Sequence, residues 1–277
     1  MHTIHAHDLD SAALAAAFNL VYTDYIMPIQ LSAVQIEQHL RINAIDPAHS
    51  VIWRDDHGAI AGLGLLGVRG QRGWIGGFGL APAYRGQGLA AQLLADLLRS
   101  ARSLGLTQIQ LEVIAGNHAA IRTYERAGFA HVRDLRIIAA PHADPHPATP
   151  AVAAYSADLQ LLAKRGMQLR GTQLAWQREL PSLQAIATLT TLAIGPAAAP
   201  DAYAIFRPLE HGMQLFDLAA TSTDTLTTIL HILQQHQPHS TPLRLANEPE
   251  ESRTCALLAE LGWHEPMRQH EMVLTIA

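Results

Sequence analysis

The run Arg85-Gly86-Gln87-Gly88-Leu89-Ala90 holds the residues best suited to grip an anion. Glycines at 86 and 88 let a turn close tightly and aim several backbone N–H groups at one point. The helical pattern that follows would place a partial positive charge behind them, which suits a phosphate or pyrophosphate. Downstream, two side chains could move protons. Glu112 stands between Leu111 and Val113, and an apolar setting raises a carboxylate's pKa and makes it a proton acceptor. Tyr124 offers a phenol, mostly protonated at neutral pH with a pKa near ~10, that can donate to a developing anion. Each has a plainer alternative: Glu112 on a solvated face paired with Arg133, and Tyr124 packed on a helix face.

The elements that must position these groups read as follows. Residues 3–5 suit a short strand. Residues 12–25 suit a helix capped by Ser11, with Leu14, Phe18, Val21 and Tyr22 on one face. After Pro28, residues 32–42 suit a second helix with Val34, Ile36, His39 and Leu40 inward. Strands follow at 50–54, 59–68 and 74–80, joined by glycine-containing hairpins. A helix over 89–104 ends at Gly105, and a strand at 108–114 leads to a helix at 118–127 stopped by Gly128. Asn117 is placed to cap that helix. A strand at 131–138 completes the unit.

Arg85-x-x-Gly88-x-Ala90, followed by Asn117, Ala120, Tyr124 and Gly128-Phe129, resembles the two cofactor motifs of the GNAT family of acetyl-CoA-dependent N-acyltransferases. The resemblance spans residues 50–138 and extends to the N-terminus by layout. It implies an α/β fold with a mixed sheet and acetyl-CoA as co-substrate, and it requires no metal. The backbone of Arg85, Gly86, Gln87, Gly88, Leu89 and Ala90 would clamp the pyrophosphate. Phe78, Gly79 and Leu80 would pair with the pantetheine like an added strand, and Gly76, Gly77 and Gly79 would loosen that strand into a bulge. Tyr124 would protonate the departing thiolate. Asn117 would contact the cofactor while capping its helix. Glu112 would promote amine deprotonation, a role supported by similarity to ribosomal-protein N-terminal acetyltransferases with a Leu-Glu-Val strand. Asp24, Tyr25 and Glu37 fall in the helices that wall the acceptor site in this family, although surface positions explain them as well.

Composition bounds the partners. Apolar residues make up 49% of 277, charged residues only 16%, and the formal net charge is −5. Lys164 is the only lysine and no basic cluster exists, which argues against nucleic acid. One cysteine, Cys255, excludes an internal disulfide. No apolar run is long enough to span a bilayer, and the first residues lack a signal-peptide layout, so a cytoplasmic protein is expected. The acceptor would be a primary amine of a small molecule or peptide. Two rivals stand beside catalysis: a non-catalytic acyl-CoA sensor, and transfer of a longer acyl chain. His5, His7, His39 and His118 show no ligand spacing and read as polar surface residues.

Residues 141–150 hold four prolines and form a linker, whose His142, Asp144 and His146 could in principle meet a metal but lack a completing ligand. The expected domains are therefore a catalytic one at 1–140 and a second at 151–277. Beyond residue 200 the order strand, strand, helix, strand, helix, strand repeats that of residues 59–138, which points to duplication. Aligning Gly128-Phe129 with Gly262-Trp263 sets Glu112 opposite Ala246, Asn117 opposite Glu251 and Tyr124 opposite Leu258. No glycine lies between Ala220 and Thr228. The second lobe is thus expected to be a degenerate copy that could cover the acceptor cleft or hold a homodimer.

Overall fold

The computed structural model describes residues 1–141, 152–210, 212–236 and 243–276. The chain forms two compact units, one of residues 1–132 with 270–277, the other of residues 133–269. This differs from the boundary expected at 141–150, most of which lies outside the described residues along with His142, Asp144 and His146. The first unit takes residues 270–277 from the far end of the sequence, an association that no local pattern encodes.

In the first unit the strands are β1 (His2–His5), β2 (Val51–Arg54), β3 (Ile60–Arg69), β4 (Arg72–Leu80) and β5 (Gln108–Ile114), in that order. The C-terminal part of β11 (His264–Thr275) lies beyond β5. Neighbours from β1 to β4 run antiparallel, whereas β4 and β5 run parallel. Helix α1 (Ser11–Val21) stops four residues short of expectation, and its N-cap is Asp10, which accepts from the N–H of Ala13, rather than Ser11. Helix α2 (Ala33–Ile42) starts from the capping box of Ser32 and Gln35. It turns Val34 to solvent, contrary to the inward position expected, and buries Ile36 as expected.

Alternation along β3 separates two layers. Gly62 and Gly64 face α3 (Leu89–Ser103), where added Cβ atoms would stand 2.9 Å from Leu93 and 3.0 Å from Leu97. Leu63 and Leu65 face the opposite side with Phe18 of α1. Leu93, Leu94, Leu97, Leu98 and Ala101 of α3 bury their side chains in one core with Ile109, Leu111 and Val113 of β5 and Tyr124 of α4 (His118–Arg126).

The second unit orders its strands β6 (Ala130–Ala139), β10 (Arg244–Pro249), β9 (Gly212–Ala220), β8 (Ala202–Leu209), β7 (Thr190–Ile194). Residues 155–200, which carry no clear pattern in the sequence, supply β7 and the helices α5 (Leu159–Arg170) and α6 (Leu180–Ala185). Helices α7 (Thr223–Gln235) and α8 (Arg253–Glu260) follow the expected order, and Ser222 caps α7 in place of a glycine turn. Pairing in this unit echoes the first: β8 with β9 antiparallel, β9 with β10 parallel.

Candidate active site

The central feature is a parting of strands. β4 and β5 pair only where Arg72, Gly73 and Trp74 meet Gln108, Ile109 and Gln110, after which each runs on without the other. Just past that point β4 carries a bulge: Leu65 faces Gly77 and Leu66 faces Ile75, so Gly76 is the extra residue. The bulge expected among the glycines is present, but the glycines serve packing more than ligand approach. A Cβ on Gly76 would stand 2.2 Å from the Trp74 ring, one on Gly77 3.1 Å from Phe18, and one on Gly79 2.8 Å from Val21. Helix α1 thus settles onto β4 through the missing side chains.

Along the opened edge, peptide groups alternate in direction. The N–H of Ala81 donates to the Ala61 carbonyl of β3 at 2.9 Å, so Ala81 and Gly79 turn their peptide groups to β3. Phe78 and Leu80 turn theirs outward. The Phe78 N–H donates to the Tyr22 hydroxyl at 3.3 Å, and the Leu80 carbonyl accepts from Arg85 Nε at 3.1 Å. Of the three β4 residues expected on the cofactor side, Phe78 and Leu80 face the gap and Gly79 faces its neighbouring strand.

At the far end of β4 lies the glycine loop. Gly86 and Gly88 have φ of +73° and +75°, and no atom stands within 4 Å of where their Cβ would be. Gly88 is the N-cap of α3 and offers no side chain to it, leaving the N–H groups of the first turn, Leu89 and Ala90 among them, to an outside acceptor. Arg85 has a different task. Its N–H donates to Pro82, and its guanidinium donates to the carbonyls of Leu80, Val21 and Thr23, fastening the loop to the ends of β4 and α1. Gln87 is tied to the Ala83 carbonyl.

Tyr124 is buried beside Phe78 and Phe129, with ring centroids 5.8 and 5.7 Å away. Burial foremost, then the nearby phenols of Tyr22 and Tyr25, push its phenol up, so it keeps its proton. Asn117 caps α4 by accepting from the Ala120 N–H at 3.2 Å and also hydrogen-bonds Tyr25. Burial raises the phenols of Tyr22 and Tyr25 as well. The three tyrosines, Asn117 and Phe78 therefore meet at one place. Their convergence was hidden because Tyr22 and Tyr25 sit far from Tyr124 in sequence; their spacing of three residues near the end of α1 is the one local hint.

Glu112 is held by Trp74, whose indole Nε1 donates to Oε2 at 2.7 Å. Arg133 donates to Thr172, the Gln173 carbonyl and Glu251. His39, expected on the inner face of its helix and, as a histidine without ligand spacing, as a polar surface residue, faces inward and supports the bulge: its Nε2 lies 2.8 Å from the Gly76 carbonyl and its Nδ1 3.1 Å from Asn43 Nδ2. A carbonyl accepts only, so Nε2 carries the proton and Nδ1 accepts from Asn43. Burial lowers the His39 pKa against the opposing pull of Gly76. Asp24 is exposed at φ +57° beyond α1, and Glu37 accepts from the Ser11 hydroxyl at 2.5 Å on the surface. Neither joins the tyrosine cluster: Asp24 lies past the end of α1, whereas Glu37 lies within α2.

The second unit repeats the bulge, but the gap beside it is filled. Ile205 faces Asp217 and Phe206 faces Leu215, leaving Phe216 as the extra residue at the position matching Gly76. β9 and β10 pair at Leu215 and Leu245 and then part. Arg178 fills the space between them. It donates to the carbonyls of Phe216 at 2.8 Å and of Ala246 and Asn247 at 3.2 Å, to Glu248 at 2.5 Å and to Asp217 at 2.7 Å. Arg170 and Tyr203 close the other side of Asp217. Burial would raise the Asp217 carboxyl, but Arg170 and Arg178 outweigh it and hold the group below its ordinary value. Where the first unit leaves an open edge, the second is occupied by its own guanidinium.

Comparison with known proteins now bears on this geometry. Residues 14–129 match the family model described as Acetyltransferase (GNAT) family. The Bacillus subtilis protein named uncharacterized N-acetyltransferase YycN is 46% identical over 59 residues, 21% of this chain and 38% of its own. A mycothiol acetyltransferase of Propionibacterium freudenreichii is 27% identical over 132 residues, 46% of this chain and 42% of its own. The chain therefore spans about two fifths of the length of these curated relatives. Among solved structures, a tandem GNAT protein from the clavulanic acid biosynthesis pathway aligns over 99% of this chain and 97% of its own, with TM-score 0.67 and 14% identity. A GCN5-related N-acetyltransferase from Sphaerobacter thermophilus aligns over 99% and 95%, with TM-score 0.68 and 16% identity. At such identities the likeness shows the fold, a mixed α/β sheet in a two-lobed arrangement of elements.

Proposed function

We propose, from the match of residues 14–129 to the acetyltransferase (GNAT) family model, that the protein moves an acetyl group from acetyl-CoA to a primary amine. Transfer is direct, with both substrates bound together. The observation that carries this reading is the parting of β4 from β5, with Phe78 and Leu80 facing the gap and the uncapped start of α3 at its end. The residues present fit the donor: positive-φ glycines with open space beside them admit a phosphate to the α3 N–H groups. When bound, acetyl-CoA supplies an activated thioester.

The chain's own groups divide the work. Gly86, Gln87, Gly88, Leu89 and Ala90 form the anion cradle, with Arg85 positioning it through backbone carbonyls. Phe78 offers its N–H to the acyl carbonyl, and the Leu80 peptide lies along the same edge. Glu112, oriented by Trp74, accepts the proton that the amine must lose. Tyr124 keeps its proton until a thiolate sulfur needs it. Asn117 fixes the start of the Tyr124 helix. The second unit is a degenerate copy: its matching gap is plugged by Arg178, so one active site per chain is expected.

The test is a thiol-release screen across amine classes, begun with small-molecule amines because of the mycothiol acetyltransferase relative. Tyr124→Phe and Glu112→Gln should each lower kcat by about a hundredfold, typical of a lost general acid or base, while acetyl-CoA affinity stays within a few fold. Full turnover in both variants with chemistry rate-limiting would remove the assigned roles. Acetyl-CoA binding without thiol release for any amine would favour a sensor.

A further inference from the structure

Tyr22 is the group that the acetyltransferase roles leave unused, yet it sits on the atom they need most. Its hydroxyl accepts from the Phe78 N–H at 3.3 Å, an outward N–H on the residue whose ring packs 5.8 Å from that of Tyr124. The ring is held on both sides, stacked on Phe18 at 4.4 Å and edge-on to Tyr25 at 5.0 Å. Arg85 pins the backbone beside it through the carbonyls of Val21 and Thr23. A phenol so fixed is a preorganised dipole rather than a mobile surface group.

Resting on the acyltransfer reading above, we propose that Tyr22 is a catalytic residue, the second hydrogen-bond donor to the acyl carbonyl oxygen, alongside the Phe78 N–H. Without acyl donor the two groups satisfy each other. An arriving carbonyl oxygen takes the N–H, and the phenol turns its own O–H onto the same oxygen. As the amine nitrogen bonds to the carbonyl carbon, an electron pair moves onto that oxygen, and both donors bind the developing charge. The pair returns as the carbon–sulfur bond breaks. Glu112 holds the proton lost by nitrogen, Tyr124 gives its proton to sulfur, and Tyr22 keeps its own throughout. The raised Tyr22 phenol agrees with that retention.

The experiment uses the whole chain with acetyl-CoA carrying carbon-13 at the carbonyl, read by isotope-edited infrared spectroscopy with no amine present. Wild type should bind it and show the carbonyl band below that of free acetyl-CoA. Tyr22→Phe keeps the ring and should hold acetyl-CoA affinity within a few fold, move the band back toward the free value, and lose about a hundredfold in kcat, as when one such donor is removed. Tyr124→Phe should lose kcat and leave the band in place, separating acid from oxyanion donor. A band that does not move in Tyr22→Phe overturns the proposal while leaving the acyltransfer reading intact. Should Tyr22→Phe fail to fold, an unshifted band in wild type overturns it equally. Failure of wild type to bind acetyl-CoA at all sinks the acyltransfer reading and this proposal with it.

Discussion

Replacing Arg178 by methionine tests how the second unit fills the gap between its parted strands. Arg178 and Arg170 balance Asp217 and Glu248 in a cluster where all four are buried. Arg178→Met leaves that cluster one negative charge in excess, and removing one partner of a buried pair costs about 3–5 kcal/mol. Three carbonyls, of Phe216, Ala246 and Asn247, also lose their donor. Each would cost about 1 kcal/mol at the lower end for a buried unsatisfied group. Burying the methionine returns about 2 kcal/mol. The net expectation is a loss of about 4–6 kcal/mol, a large share of the 5–15 kcal/mol typical of a domain. Urea unfolding followed by tryptophan fluorescence measures it, Trp176 and Trp263 lying in this unit. The double variant Arg178→Met with Glu248→Gln removes the excess charge and should be milder than the single by about 2 kcal/mol, a coupling that a mutant cycle isolates. A single-variant loss under about 1 kcal/mol, or a double variant no milder than the single, would refute the account of the plug as a balanced buried network.

Two further outcomes follow from the first unit. Gly76→Ala places a Cβ 2.2 Å from the Trp74 ring. It should cost about 2–4 kcal/mol through overpacking and the strained Trp74–Glu112 bond, whereas Gly88→Ala, with open space and φ +75°, should cost only about 1–2 kcal/mol; chemical denaturation of the pair checks the order, and equal losses would contradict it. His39 has a folded-state pKa below its unfolded value, so the unfolded chain takes up its proton first. Stability should fall as pH drops below about 6.5, by at most about 1.4 kcal/mol per pH unit. His39→Gln, which retains a donor for Gly76, should flatten that slope in parallel pH melts; an unchanged slope would deny His39 its neutral role.

The duplication was legible in the sequence as an order of elements, and the glycine turn, the Asn117 cap and the ends of β5 and α7 were legible because each is encoded within a few residues. A helix start, a left-handed C′ glycine or an uncapped N-terminus depends on backbone sterics and nearest donors, which local residue types decide. Residues 155–200 were opaque because their charged Arg170 and Arg178 face inward, against the usual pattern of polar residues outside.

What local chemistry could not decide was who meets whom. The return of residues 270–277 to the first unit, the grip of Trp74 on Glu112, the bulge held by His39, and Tyr22 on the Phe78 N–H all join residues distant in the chain. Those contacts depend on which faces of separate elements pack together, and a shift of one residue in a strand would turn each of them away. The sequence therefore determined a glycine turn that leaves a helix start uncapped and a set of proton-bearing side chains. The tertiary structure decided that one unit holds them around an open strand edge, while the other closes the same edge with a buried arginine.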